Sequence, residues 1–226
     1  MGLEERIRIL ESSVQEAIDK SNYGKRDVDI VAVTKTIPVQ LMREAIACGL
    51  VHLGENRVQE LSHKMGKMDE RVKWHMIGHL QRNKVKYIID KVSLIHSLDS
   101  IRLAKEISDR AIKNKKTIDC LIQINTGDED NKYGLHIDEC ESFLETLQDL
   151  EGIQVRGLMA VTPFFADPEK SRPYFRQMKA IYDTIAEKKY KNTKIDYLSM
   201  GMSNDYQVAI EEGATMVRIG SLFFGQ

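Results

Sequence analysis

Eight short apolar runs alternate with helical patterns along the chain, and this alternation limits the fold more than any other feature. The runs are Ile30 to Val33, Val51 to Asn56, Val72 to Ile77, Leu94 to His96, Ile118 to Ile124, Val155 to Val161, Ile195 to Ser199 and Thr215 to Ile219. Several are rich in β-branched residues, the composition of strands buried on both faces. In front of them, Leu3, Ile7, Leu10, Val14, Ala17 and Ile18 recur at helical spacing. Further helices are expected from Pro38 to Gly49, from Val58 to near Gly66, in a short stretch ending at Ile89, after a cap at Asp99 or Ser100, from Asp138, over roughly 168–189, and around Val208 to Ile210. Strand and helix in alternation call for parallel strands joined by helical crossovers. Eight such strands predict a closed (β/α)8 barrel of the TIM type with an extra N-terminal helix, residues 1–226 forming one domain. An open doubly wound sheet is the alternative, but its G-x-G-x-x-G loop is absent, as is G-x-x-x-x-G-K-[ST].

Bulk properties narrow the function. A formal net charge of −1 gives no global electrostatic case for nucleic acid or an anionic membrane. No apolar run approaches the ~20 residues of a membrane span. Cys48, Cys120 and Cys140 are widely spaced and odd in number, which suits a reducing compartment. The charged N-terminus lacks the apolar core of a signal peptide, so a cytoplasmic protein is expected.

In a barrel, the carboxyl ends of the strands share one mouth, where such folds keep their sites. Lys35, Glu55, Asn56, Gly78, His79, Ser97, Asn125, Met159, Ser199, Gly220 and Ser221 fall at those ends. A lysine there, held in a dry pocket, would favour its neutral amine, the form that reacts with an aldehyde. Met200-Gly201-Met202-Ser203 runs toward a helix with Ser203 as its cap, and Gly220-Ser221 follows the neighbouring strand. Together they resemble the phosphate site that barrels build after strands seven and eight. Arg218 interrupts an apolar strand and, if it points inward, needs an acceptor from the protein or a ligand. His75 and His79 read as packing or loop residues rather than metal ligands. The basic stretch Arg82, Lys84 and Lys86 reads as a solvated face.

Stretches spanning nearly the whole chain also resemble one family. They are VAVTK at 31–35, HLGENRVQE at 52–60, WHMIGHLQRNK at 74–84, IHSLDS at 95–100, NKYGL at 131–135, GLMAV at 157–161, LSMGMSNDY at 198–206 and VRIGSLFFG at 217–225. The chain is similar in these to the pyridoxal 5′-phosphate (PLP) homeostasis proteins. That resemblance implies a barrel like the amino-terminal domain of alanine racemase, with Lys35 carrying PLP as an aldimine. Ser203, Gly220 and Ser221 would hold the phosphate with Ser199 and Met200 beside it, Arg218 would face the pyridine nitrogen, and Asn56 would lie near the ring. Lys132 matches a secondary PLP acceptor.

The function so implied is a non-catalytic PLP carrier, expected to be monomeric, that serves vitamin B6 and amino-acid balance and supplies PLP-accepting apoenzymes. The alternative is a PLP-dependent amino-acid racemase, which needs an acid/base group on each face of the substrate α-carbon. Lys35 can supply one. In alanine racemase the opposing tyrosine comes from a separate β-domain, for which this sequence leaves no room, and Tyr133 and Tyr206 are the substitutes at hand.

Overall fold

The eight predicted strands close on themselves. In the computed structural model, which describes residues 1–68, 70–127 and 133–225, they are β1 (Asp29–Val33), β2 (His52–Glu55), β3 (Lys73–Met76), β4 (Val92–Leu98), β5 (Ile118–Ile124), β6 (Ile153–Ala160), β7 (Thr193–Met202) and β8 (Met216–Ile219). Each pairs in parallel with the next, and β1 pairs with β8 from Asp29 opposite Met216 to Ala32 opposite Ile219. That last pairing rules out the open sheet.

The two faces of the strands serve two cores. Ala32, Leu53, Cys120, Leu158, Leu198 and Val217 face outward into the layer beneath the helices. Val31, Leu94, Leu121, Met159 and Met216 form a separate cluster, with Ile77 and Tyr197 against it, that fills the barrel lumen. Strands apolar on both sides are what a parallel sheet covered by helices demands.

The outer layer consists of α1 (Leu3–Lys20), α2 (Val39–Ala47), α3 (Val58–Met65), α4 (Ile101–Lys113), α5 (Cys140–Leu147), α6 (Arg172–Glu187), α7 (Tyr206–Glu211) and α8 (Ser221–Phe224). Ser100 caps α4 by accepting from Leu103 N–H. The helix expected to end at Ile89 is instead a 3₁₀ turn over Arg82–Tyr87, and a second such turn, Pro168–Ser171, precedes α6. The extra N-terminal helix has a clear purpose. With only four residues, α8 cannot cover the β8 side of the barrel, and α1 packs against both α7 and α8 to do so. Ser13 of α1 receives hydrogen bonds there from Tyr206 Oη at 2.8 Å and Gln207 Nε2 at 2.6 Å. No helix among the described residues is long and apolar enough to cross a membrane.

Candidate functional site

Most of the residues singled out from the sequence meet at the carboxyl ends of β1, β2, β7 and β8. The β1–β8 register sends Lys35 and Gly220 out of neighbouring strands. Val33 lies opposite Gly54, and Thr34 N–H donates to Gly54 O at 2.9 Å, which carries Lys35 to the level of Asn56. Asn56 is held by a close backbone approach from the chain leaving β3. A Cβ on Gly78 would fall 2.3 Å from Asn56 O, so only glycine passes there. Across the mouth, Ser203 Oγ accepts from Gly220 N–H at 3.2 Å and ties the end of β7 to that of β8.

The Lys35 side chain is exposed, not shut in a dry pocket. The backbone turns away immediately after it, with Thr36 at φ 62°, and leaves the lysine on the rim. Its neighbours are held from both sides, by buried groups at Thr34 and by an exposed contact at Thr36. Thr34 Oγ1 donates to Glu55 Oε1 at 2.7 Å, Lys64 Nζ donates to Thr34 O at 2.7 Å and Glu55 Oε1 at 2.8 Å, and Thr36 N–H donates to Glu60 Oε2 at 2.9 Å. The Lys64 ammonium also reaches Glu60 Oε2 at 3.2 Å. Burial raises the Glu55 carboxyl, against the pull of Lys64 and Thr34, while the Thr36 hydrogen bond lowers Glu60. Both neighbours of Lys35 are thereby clamped, and the lysine itself is free to reach the mouth.

One step below the rim sits Arg218. Alternation along β8 turns it into the lumen with Met216, where it is 4% exposed. Its Nη1 donates to Ser199 O at 2.9 Å and Ser199 Oγ at 2.7 Å, and Nη2 donates to Ala160 O at 2.8 Å. All three acceptors are neutral, and among the described residues no carboxylate pairs with the guanidinium. Burial pushes it down to about 10, opposed by Asp205, so it keeps its charge at neutral pH. A buried cation balanced only by neutral oxygens can serve a ligand acceptor.

Several residues stand differently from their reading in the sequence. Met200 points outward into the core beneath the helices, so only its backbone faces the site. Ser203 is not a helix cap. β7 runs on through Met202, Asp205 takes the position before α7, and its carboxylate accepts from Met202 N–H at 2.8 Å. Ser199 is buried beside Arg218, and Ser221 is exposed at the start of α8. Lys132 lies outside the described residues. Tyr206 donates its hydroxyl to Ser13 on the outer face, away from the lumen, and Tyr133 stacks on His79 with centroids 3.7 Å apart. A cleft of about 550 Å³ borders the site on the Asn56 side, lined by Arg57, Gln59, His79, Gln81 and Lys84.

Two groups escaped the sequence reading. Lys64 looked like any polar position of α3, although an i, i+4 Glu60–Lys64 pair beside a strand-end Glu55 was there to be noticed. His52, His75 and His96 recur 23 and 21 residues apart, one in each of three consecutive strands, and all turn into the lumen, each touching the next. No group of three potential metal ligands converges among the described residues.

These histidines also make stability depend on pH. Burial pushes His75 down to about 3 and His96 well below its ordinary value. The unfolded chain takes up protons on both below about pH 6.5, whereas the folded chain does not, so stability is complete above 6.5 and falls as pH drops. His75→Gln is expected to reduce that slope by about 1.4 kcal/mol per pH unit between pH 6 and 4. Denaturant midpoints measured at several pH values check it, and an unchanged slope would show His75 protonated in the fold.

Known proteins place the chain in a family. Residues 14–226 match the family model "Alanine racemase, N-terminal domain". A "Pyridoxal phosphate homeostasis protein" from Aquifex aeolicus is 44% identical over 220 residues, 97% of this chain and 95% of the relative. One of the same name from Escherichia coli K12 is 33% identical, covering 94% and 91%. The structure of PipY from Synechococcus elongatus with PLP bound superposes with a TM-score of 0.84 at 30% identity, covering 99% of this chain and all of that one. An alanine racemase from Clostridium difficile shares the fold, with a TM-score of 0.68 at 16% identity over 98% of this chain and 60% of that one. Closed barrel, strand-end lysine and full-length similarity agree, and the chain belongs to the family of pyridoxal phosphate homeostasis proteins.

Proposed function

We propose that the chain binds PLP at the carboxyl mouth of its barrel, as an aldimine on Lys35, and acts in the cytoplasm as a monomeric, non-catalytic carrier. It would hold the aldehyde for PLP-accepting apoenzymes and so serve vitamin B6 and amino-acid balance. The observation that carries this reading is Arg218, a buried guanidinium satisfied among the described residues only by neutral oxygens and set one step below Lys35 and Gly220. Bound PLP supplies an aldehyde and an electron-accepting ring.

Each residue then has a definite task. Lys35 Nζ on the rim is the point of attachment. Ser203 Oγ already accepts from Gly220 N–H, which leaves its own hydrogen to donate to a phosphate oxygen, with the backbone at Gly220 and Ser221 alongside. Arg218 keeps its charge and would donate to the ring nitrogen of bound PLP, holding it unprotonated. An unprotonated ring is a poor electron sink for a carbanion, so the site favours storage over turnover. Asn56 would lie near the ring, and Lys132 would be a secondary acceptor.

Among the described residues the geometry assigns no second base to the racemase reading. Tyr206 is committed to Ser13 outside the barrel, and the likeness to alanine racemase bears on the fold alone. Borohydride reduction of protein mixed with PLP, followed by peptide mapping, is expected to label the peptide containing Lys35. A label elsewhere, or none, would overturn the site. Incubation with alanine or serine is expected to give no racemisation at an ordinary enzymatic rate, and a rate lost in Lys35→Ala would establish the enzyme instead.

A further inference from the structure

The contacts of Ser199 do not stop at Arg218. Ser199 Oγ lies 3.2 Å from His96 Nδ1, His96 Nε2 lies 2.8 Å from His75 Nδ1, and His75 Nε2 lies 2.9 Å from His52 Nδ1. The ring centroids step 5.1 Å each time. A continuous line of hydrogen bonds thus crosses the lumen from β8 through β7, β4 and β3 to the start of β2. Ser199, His75 and His96 are buried, and His52 is half-buried near Asp29 and Lys73 toward the opposite end of the barrel.

Elementary donor–acceptor accounting gives the line a direction. A guanidinium can only donate, so Ser199 Oγ accepts from Arg218 and must send its one hydrogen elsewhere. His96 Nδ1 is the acceptor at hand. A neutral His96 that accepts at Nδ1 carries its hydrogen on Nε2 and donates to His75 Nδ1. The same argument puts the His75 hydrogen on Nε2, donating to His52 Nδ1. Burial keeps His75 and His96 neutral, and an imidazolium at either place would donate from both nitrogens and reverse a link.

We infer that His52, His75 and His96 are positioning residues for Arg218. By accepting the Ser199 hydrogen, the line keeps Ser199 Oγ turned as an acceptor toward Nη1 and leaves the remaining donors of the guanidinium for the ring nitrogen of bound PLP. This role rests on the PLP reading above. The histidines act through Ser199 and need touch no ligand. With His96 removed, the Ser199 hydrogen loses its acceptor in the buried lumen and competes with Arg218 for Ala160 O and Ser199 O. The guanidinium loses its fixed aim, and the ring nitrogen its donor.

Nitrogen-15 resonances test this in two steps. In ligand-free protein labelled on histidine, all three rings are expected as neutral Nε2–H tautomers near pH 7. A hydrogen on His96 Nδ1, or an averaged mixture, would overturn the line whether or not PLP binds. With PLP labelled at the ring nitrogen, His96→Leu should move that resonance away from the hydrogen-bonded position toward that of a free pyridine nitrogen, while His96→Asn, whose Oδ1 stands where Nδ1 stood, should stay near the unaltered protein. An unmoved resonance in His96→Leu, or equal shifts in both variants, would overturn the role. Should His96→Leu fail to fold, His75→Leu cuts the line one step further out and is expected to give a smaller shift of the same sign, no shift again overturning it. Failure of PLP to bind at all would remove the function proposed for the mouth, and the tautomer pattern would still stand or fall separately.

Discussion

Lys35→Ala is expected to abolish covalent retention of PLP and the absorption band that accompanies it, while leaving the protein folded. The two halves of this expectation have different physical origins. Lys35 Nζ is exposed on the rim, and among the described residues it makes no ion pair, so its removal should cost no more than about 0.5 kcal/mol of stability. Its neighbours, in contrast, are fixed from below by Glu55, Glu60 and Lys64, so truncating the side chain leaves the strand end in place. Loss of attachment without loss of fold is the signature of an anchor. The contacts of Ser203, Gly220 and Arg218 do not involve Lys35 and should still give weak, reversible binding that dialysis removes. Absorption spectra before and after dialysis, beside a denaturation curve, read both effects. A band that survives dialysis in Lys35→Ala would place the attachment on another lysine.

The sequence made Lys35, Asn56 and Gly220 legible for a simple reason. Each ends an apolar run, and a parallel barrel sends every such end to one mouth. Arg218 was legible because a charge in an apolar strand stands out, and the structure supplies the acceptors that the sequence could not name. Strand ends were harder to fix. β7 continues through Met202, past the expected turn, and this moves Ser203 from a helix cap to the neighbour of Gly220. Met200 could not be assigned a face until that register was known, and it proved to face the outer core. The histidine line was hidden for another reason. Its members lie on separate strands, and only barrel closure and register bring rings more than twenty residues apart into contact. Nothing local distinguishes His52 from a surface histidine. Tertiary partners, not intrinsic preference, decide such residues.

Lys64→Met is expected to be the most destabilising single change near the mouth, by about 3–5 kcal/mol, the cost of breaking a buried pair by removing one partner. Lys64 and Glu55 are 6% and 0% exposed, and Glu55 Oε2 has no hydrogen-bond partner among the described residues. Without the ammonium, Glu55 keeps only the Thr34 hydroxyl at Oε1, and burial drives the carboxyl to take up a proton. The Thr34 carbonyl loses its donor at the same time, and at Thr36, held at positive φ, the N–H still donates to Glu60. The damage therefore reaches both sides of Lys35, and PLP retention should weaken along with stability. Replacing both partners separates charge from packing. Lys64→Met with Glu55→Gln removes the uncompensated carboxylate and should recover most of the lost stability, because burying two neutral groups costs far less than burying one lone charge. Denaturant titrations of the two single variants and the double variant close the cycle. A loss below about 1 kcal/mol in Lys64→Met would mean that the pair is solvated at the rim and that the strand end holding Lys35 is kept in place by the barrel alone.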